Sequence, residues 1–72
     1  MHVDVPKVKG KMAERGYTIT SFAKKLGISR NTLSFYLKMP EKIPYNIVVA
    51  MATTLCDSAE EAGAIFFCTL LT

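Results

Sequence analysis

A small residue followed four positions later by a glycine, Ala23 and Gly27, is the pairing that most restricts how this chain folds. Two helices that cross steeply through a tight turn need a small side chain where they touch, and Ala23 provides it. The turn needs a residue that takes a positive φ at little steric cost, and Gly27 does so. Apolar residues must then fall on the inner face that the two helices share, as Phe22, Leu26, Ile28, Leu33 and Tyr36 do. Thr18 is placed to cap the first helix, and Ser29 opens the second. A helical hairpin arising by chance would meet the apolar requirements without needing the alanine or the glycine. The pattern therefore predicts a bent two-helix unit over Ile19 to Lys38.

The rest of the chain reads as three further helices around that unit. A first helix is expected to start near Pro6, a residue favoured in the first turn, with Asp4 close to its positive end. Val5, Val8, Met12 and Ala13 give it a modest apolar stripe, and Gly16 stops it. Gly10 weakens its middle by up to about 1 kcal/mol relative to alanine. Pro40 ends the helix that Ser29 opens, because proline disfavours a helical conformation at Met39. Met39 to Ile43 is then a short loop. A fourth helix is expected from about Pro44 to Cys56, apolar at Tyr45, Val48, Val49, Ala52 and Leu55. Ser58 followed by Glu61 fits a capping box for a fifth helix through Ile65, Phe66, Phe67, Leu70 and Leu71. That last stretch is β-prone as well, so a C-terminal strand is the alternative. The expectation is one all-α domain over residues 1–72, a compact bundle of five helices with no repeat or linker.

A chain of 72 residues buries only about 60% of the surface its unfolded form exposes. Half of its residues are apolar, which is high for so small a monomer: either the core is unusually rich, or some apolar surface is meant for a partner. No apolar run approaches the length of a membrane span, and the N-terminus lacks a signal-peptide layout. Cys56 and Cys68 sit in apolar stretches and read as reduced, buried thiols. With one histidine, His2, no metal site is expected. Nor is any cofactor, because there is no nucleophile–base pair, no Gly-rich phosphate loop, and the carboxylates are scattered. An enzyme is not expected.

Charge is unevenly distributed. Residues 1–38 carry eight basic side chains (Lys7, Lys9, Lys11, Arg15, Lys24, Lys25, Arg30 and Lys38) against Asp4 and Glu14, a balance of +6. Residues 39–72 carry Lys42 against Glu41, Asp57, Glu60 and Glu61, a balance of −3. A basic N-terminal half suits a polyanion, since each neutralised phosphate releases condensed counterions; a solvated lysine-rich face is the alternative, and charge alone does not choose between them.

The bent unit has the form of a helix-turn-helix, in which the second helix lies in the DNA major groove. The segment from Tyr17 to Ser34, YTITSFAKKLGISRNTLS, resembles the Cro/lambda-repressor class of phage and bacterial regulators. Ala23 to Arg30, AKKLGISR, is its most family-like piece, and the likeness extends more weakly through the first helix and Met51 to Leu55. The resemblance implies a lambda-repressor-like bundle of about five helices that binds double-stranded operator DNA, commonly as a homodimer. The chain is similar in size to small Cro-type and modulator proteins of phage switches.

Carried over by position, the outward residues of the recognition helix are Ser29, Arg30, Asn31, Ser34, Phe35 and Lys38. Arg30 suits a bidentate contact to guanine or a phosphate contact, Asn31 suits adenine, and Ser34 is adaptable. Lys38 suits phosphate. Thr18, Thr20 and the free N–H groups opening the preceding helix could hold the DNA backbone, with Lys42 and Asn46 doing so across the loop. Two positions depart from the family pattern. Ile19 stands where glutamine is frequent, and isoleucine cannot help hold phosphate. Phe35 stands where a polar, DNA-facing residue is common; it could touch a thymine methyl or anchor a protein.

Two functions follow from this reading. The first is a transcription regulator that reads operator DNA as a homodimer, with Ile65, Phe66, Phe67, Leu70 and Leu71 of the fifth helix as the dimer surface; the alternative is that these residues simply close the small core. The second is an antirepressor or modulator that grips a partner repressor protein through Ile19 and Phe35. Both place the protein in the cytoplasm of a bacterial host, at the nucleoid, with neither membrane nor small-molecule substrate.

Overall fold

The computed structural model describes residues 3–66. Within them the chain forms α1 (Val5–Glu14), α2 (Ile19–Leu26), α3 (Arg30–Lys38), a 3-10 turn at Pro40–Lys42, α4 (Tyr45–Leu55) and α5 (Ala59–Phe66). The architecture is all-helical, and no strand occurs among the described residues. α5 is helical as far as Phe66; Phe67, Cys68, Leu70 and Leu71 lie outside the described residues, as does His2.

α1, α2 and α3 each begin where a capping side chain supplies a missing backbone partner, whereas α4 starts after Pro44 without one. Asp4 caps α1 by accepting from the Lys7 N–H at 3.2 Å. Thr18 and Ser21 form a reciprocal capping box at α2. Ser21 N–H donates to Thr18 Oγ1 at 3.1 Å, and Thr18 N–H donates to Ser21 Oγ at 2.9 Å. Ser29 caps α3 by accepting from Thr32 N–H at 3.1 Å.

Gly27 stands at φ +76° after α2. The Gly27 N–H donates to the Lys24 carbonyl at 3.2 Å and the Ile28 N–H to the Ala23 carbonyl at 3.0 Å. This is a Schellman closure, and it needs the left-handed conformation that glycine takes freely. Gly16, at φ +75°, closes α1 the same way, with Tyr17 N–H donating to the Met12 carbonyl at 2.8 Å.

The core is centred on Val8, Phe22, Leu33, Val48, Met51 and Leu55, all fully buried and drawn from α1 to α4. Ala23, Leu37, Ile43 and Ala52 extend it. Leu26, Ile28 and Tyr36 of the expected inner face are partly buried against this core. The Tyr17 ring leans on Phe22, with ring centroids 5.2 Å apart.

Four sequence expectations change. Ala13 is exposed, so α1 turns Val8 and Met12 inward and leaves the alanine in water. The expected loop from Met39 to Ile43 contains a 3-10 turn, and Ile43 returns to the core. On α4 the buried row is Val48, Met51, Ala52 and Leu55, whereas Tyr45 and Val49 are exposed. Ile65, assigned by the sequence reading to a dimer surface, is 5% exposed and belongs to this molecule's own core. The cause is a contact between the two halves of the chain: the Asp4 N–H donates to the Ile65 carbonyl at 2.8 Å, which seats the end of α5 beside buried Val3.

The α5 cap also differs in one arm. Glu61 N–H donates to Ser58 Oγ at 3.1 Å, as expected, but Glu61 Oε1 accepts from the Asp57 N–H at 3.2 Å. The other oxygen of Glu61 meets Lys11 Nζ at 3.0 Å, and Arg15 Nη2 meets Asp57 Oδ1 at 2.7 Å. These two ion pairs fasten α1 to the start of α5. Arg15 holds the Asp57 carboxyl below its ordinary value, and Lys11 does the same to Glu61. In return, Glu61 raises Lys11 and Asp57 raises Arg15. Burial pushes the half-buried Cys56 thiol up, so it is a poor thiolate.

Candidate nucleic-acid interface

α3 presents its outer side because its inner side is used. Leu33 and Leu37, four residues apart, are buried and fix the rotation of the helix. That rotation leaves Arg30, Asn31, Phe35 and Lys38 exposed and Ser34 half-buried. Phe35 is 48% exposed, and its ring centroid lies 6.0 Å from that of Tyr36.

The structure brings several of the sequence-selected residues together. Ile19, Ser34 and Lys38 line one shallow cleft of ≈ 150 Å³, with Leu37 and Lys9 completing it. Ile19 begins α2, so this cleft joins the start of α2 to the second half of α3. Lys9 of α1 was not selected from the sequence. Its signal was the basic spacing of Lys7, Lys9 and Lys11, which shows charge but not which lysine turns toward α3.

Ser29 and Thr18 are exposed, yet their hydroxyls are engaged in capping. Ser29 Oγ lies 2.7 Å from Thr32 Oγ1, and Thr18 Oγ1 lies 3.2 Å from Ser21 Oγ. Their contribution to holding the start of each helix is therefore established by geometry that is already in place. Thr20 is exposed in the first turn of α2, where the free N–H groups give a partial positive charge. Lys42 is exposed on the 3-10 turn and Asn46 is exposed in the first turn of α4. Neither lines the cleft with Ser34 and Lys38.

Among the described residues, no group of three or more His, Cys, Asp or Glu could hold a metal ion. No described helix is long and apolar enough to cross a membrane.

A capped α2, a left-handed glycine turn and an outward-facing α3 are the parts of a helix-turn-helix. A family model described as Helix-turn-helix matches residues 8–55, two-thirds of the chain. The chain belongs to this family, in its Cro/C1 form, and is a DNA-binding regulator in that general sense. Comparison with curated proteins and with solved structures returned no match.

Proposed function

We propose that this protein is a transcription regulator of a phage or bacterial genetic switch that reads operator DNA with α3. The observation that carries the proposal is the outward row of α3. Arg30 and Asn31 stand exposed in its first turn, and Lys38 stands exposed in its last. In this reading Arg30, Asn31 and Ser34 meet base edges, with Phe35 against a thymine methyl. Lys38 and Lys9 meet phosphate from the two sides of the cleft. Thr20 and the N–H groups of α2 hold the backbone, as do Lys42 and Asn46 farther along. Its place of action is the bacterial cytoplasm, at the nucleoid.

The test is binding of the full chain to DNA flanking its own gene, measured at two salt concentrations. Specific binding should weaken steeply with salt. Arg30→Ala should cost about 1–3 kcal/mol and relax specificity at one base position. An Arg30→Ala variant that binds as tightly and as selectively as the parent would sink the reading.

A second reading is favoured by one observation. Phe35 and Met39 are both large, apolar and exposed, at 48% and 39%. That spacing suits an apolar anchor on a partner repressor protein. Under this reading the chain retards no DNA but forms a complex with the neighbouring repressor, and Phe35→Ala breaks that complex.

A further inference from the structure

α1 carries lysines on both flanks of its buried row. Val8 and Met12, one turn apart, face the core. At about 100° per residue, Lys9 and Lys11 fall on opposite sides of that row, about 200° apart. Lys9 lines the cleft between the start of α2 and the second half of α3, with Ile19, Ser34, Leu37 and Lys38. Lys11 turns the other way and meets Glu61 of α5 at 3.0 Å. Arg15, one turn after Lys11, meets Asp57 at 2.7 Å.

α5 runs along α1 in the opposite direction and is fastened to it at both ends. The two ion pairs join the end of α1 to the start of α5. The Asp4 N–H, at the start of α1, donates to the Ile65 carbonyl near the end of α5 at 2.8 Å. α1 packs chiefly on α4 and α5. Lys9 thus reaches the cleft of α3 on a helix whose place is set from its other side. Val8 and Met12 form a single line of contact, and a helix held along one line can still roll about it. Ion pairs on the flank opposite Lys9 resist that roll. The Lys11 side chain is only 18% exposed, so its pair with Glu61 is more sheltered from screening than a surface pair.

We propose that Asp57 and Glu61 are positioning residues for DNA: by holding Arg15 and Lys11 they keep α1 turned so that Lys9 faces the cleft and meets a phosphate there. This role rests on the reading of α3 as the DNA-binding helix. Its sign separates it from plain electrostatics. Both residues are acidic and repel DNA, and removing their charges raises the net charge of +3 by two. It also releases Lys11 and Arg15 from their partners. Charge alone therefore predicts tighter DNA binding by a chain without the two carboxylates. Positioning predicts weaker binding, because the phosphate contact of Lys9 is lost.

The test uses the full chain carrying Asp57→Asn and Glu61→Gln together, changes that keep side-chain shape and remove charge. Circular dichroism checks that the helices are intact. If that protein does not fold, Asp57→Asn alone, at an exposed side chain, takes its place with the same expectations. The first measurement needs no DNA. Nuclear magnetic resonance signals of Ser34 and Leu37, identified as reporters of Lys9 by their response to Lys9→Ala, should move in the carboxylate variant. Neither Asp57 nor Glu61 lines the cleft, so unmoved signals overturn the proposal. The second measurement is DNA binding. The carboxylate variant should bind at least threefold more weakly, with a salt slope lower by about one, the share of a single phosphate contact. In a Lys9→Ala background the same change should no longer weaken binding, whereas general damage to the fold would weaken it there too. Binding by the carboxylate variant that equals or exceeds the parent's overturns the proposal, as does an equal loss with and without Lys9. A parent chain that binds no DNA overturns the phosphate role together with the reading of α3, and the resonance measurement tells that failure apart from a failure of positioning.

Discussion

Replacing glycine by alanine should have opposite effects at two positions of this chain, although the chemical change is identical. Gly10 lies inside α1 and Gly27 sits after α2 at φ +76°. A β-carbon added at either position meets nothing within 4 Å, so packing contributes nothing to the difference. At Gly10 the alanine gains helix propensity worth about 1 kcal/mol. At Gly27 it must hold a left-handed conformation, which costs about 1–2 kcal/mol. Against that, alanine restricts the unfolded chain and recovers about 0.4–1 kcal/mol. The net is a destabilisation of about 0.5–1 kcal/mol. For a domain of this size each kcal/mol moves Tm by roughly 4–8 °C. Thermal unfolding followed by circular dichroism should therefore place Gly10→Ala above the parent, Gly27→Ala below it, and the two roughly 10 °C apart. Gly27→Asn should fall between Gly27→Ala and the parent, because asparagine visits this conformation more readily. Shifts of the same sign for the two alanine variants would refute the conformational argument.

Two further outcomes follow from the packing and the ion pairs. Asp57 and Glu61 have folded-state values depressed below their ordinary 3.8 and 4.5. Their contribution is complete above those ordinary values and is lost as pH falls through the depressed ones. Tm measured from neutral pH downward should decline in that acid range, and the decline should be shallower in Asp57→Asn. Leu33, fully buried on the inner side of α3, should cost about 2–5 kcal/mol when cut to alanine. Denaturant unfolding should show this loss, and a cost below about 1 kcal/mol would mean that α3 is not anchored there.

The parts of the fold that were readable in the sequence are those whose cause is local. Asp4, Thr18, Ser29, Gly16 and Gly27 act on backbone groups within five residues of themselves, and each stands at the helix end it was expected to set. The parts that were missed depend on contacts distant in the chain. Ile43 sits between two prolines in what reads as a loop, and only its approach to the core from outside the local sequence makes it buried. α4 carries no charged side chain and is apolar over most of its circumference, so its periodicity does not choose a face. Periodicity alone therefore turns Tyr45 and Val49 inward and does not single out Met51. Ile65 looked like surplus apolar surface because its partners, Val3 and the Asp4 N–H, are some sixty positions away. In the cleft, Ser34 and Lys38 were legible from their helical spacing, whereas Lys9 needed the packing of α1 to bring it there.

The fastening of α1 to α5 bears on the order in which this molecule assembles. The α2–α3 unit is joined by a three-residue turn and makes its contacts over short stretches of chain. The Arg15–Asp57 pair instead bridges 42 residues. Contacts that close such long loops form after the local ones, because the chain must first give up the freedom of everything between them. α1 and α5 should thus dock last, onto a preassembled α2–α3–α4 nucleus, and open first. Hydrogen exchange would then find α3 in the slow-exchanging interior of the folding sequence, with α1 and α5 forming its fast-exchanging seam.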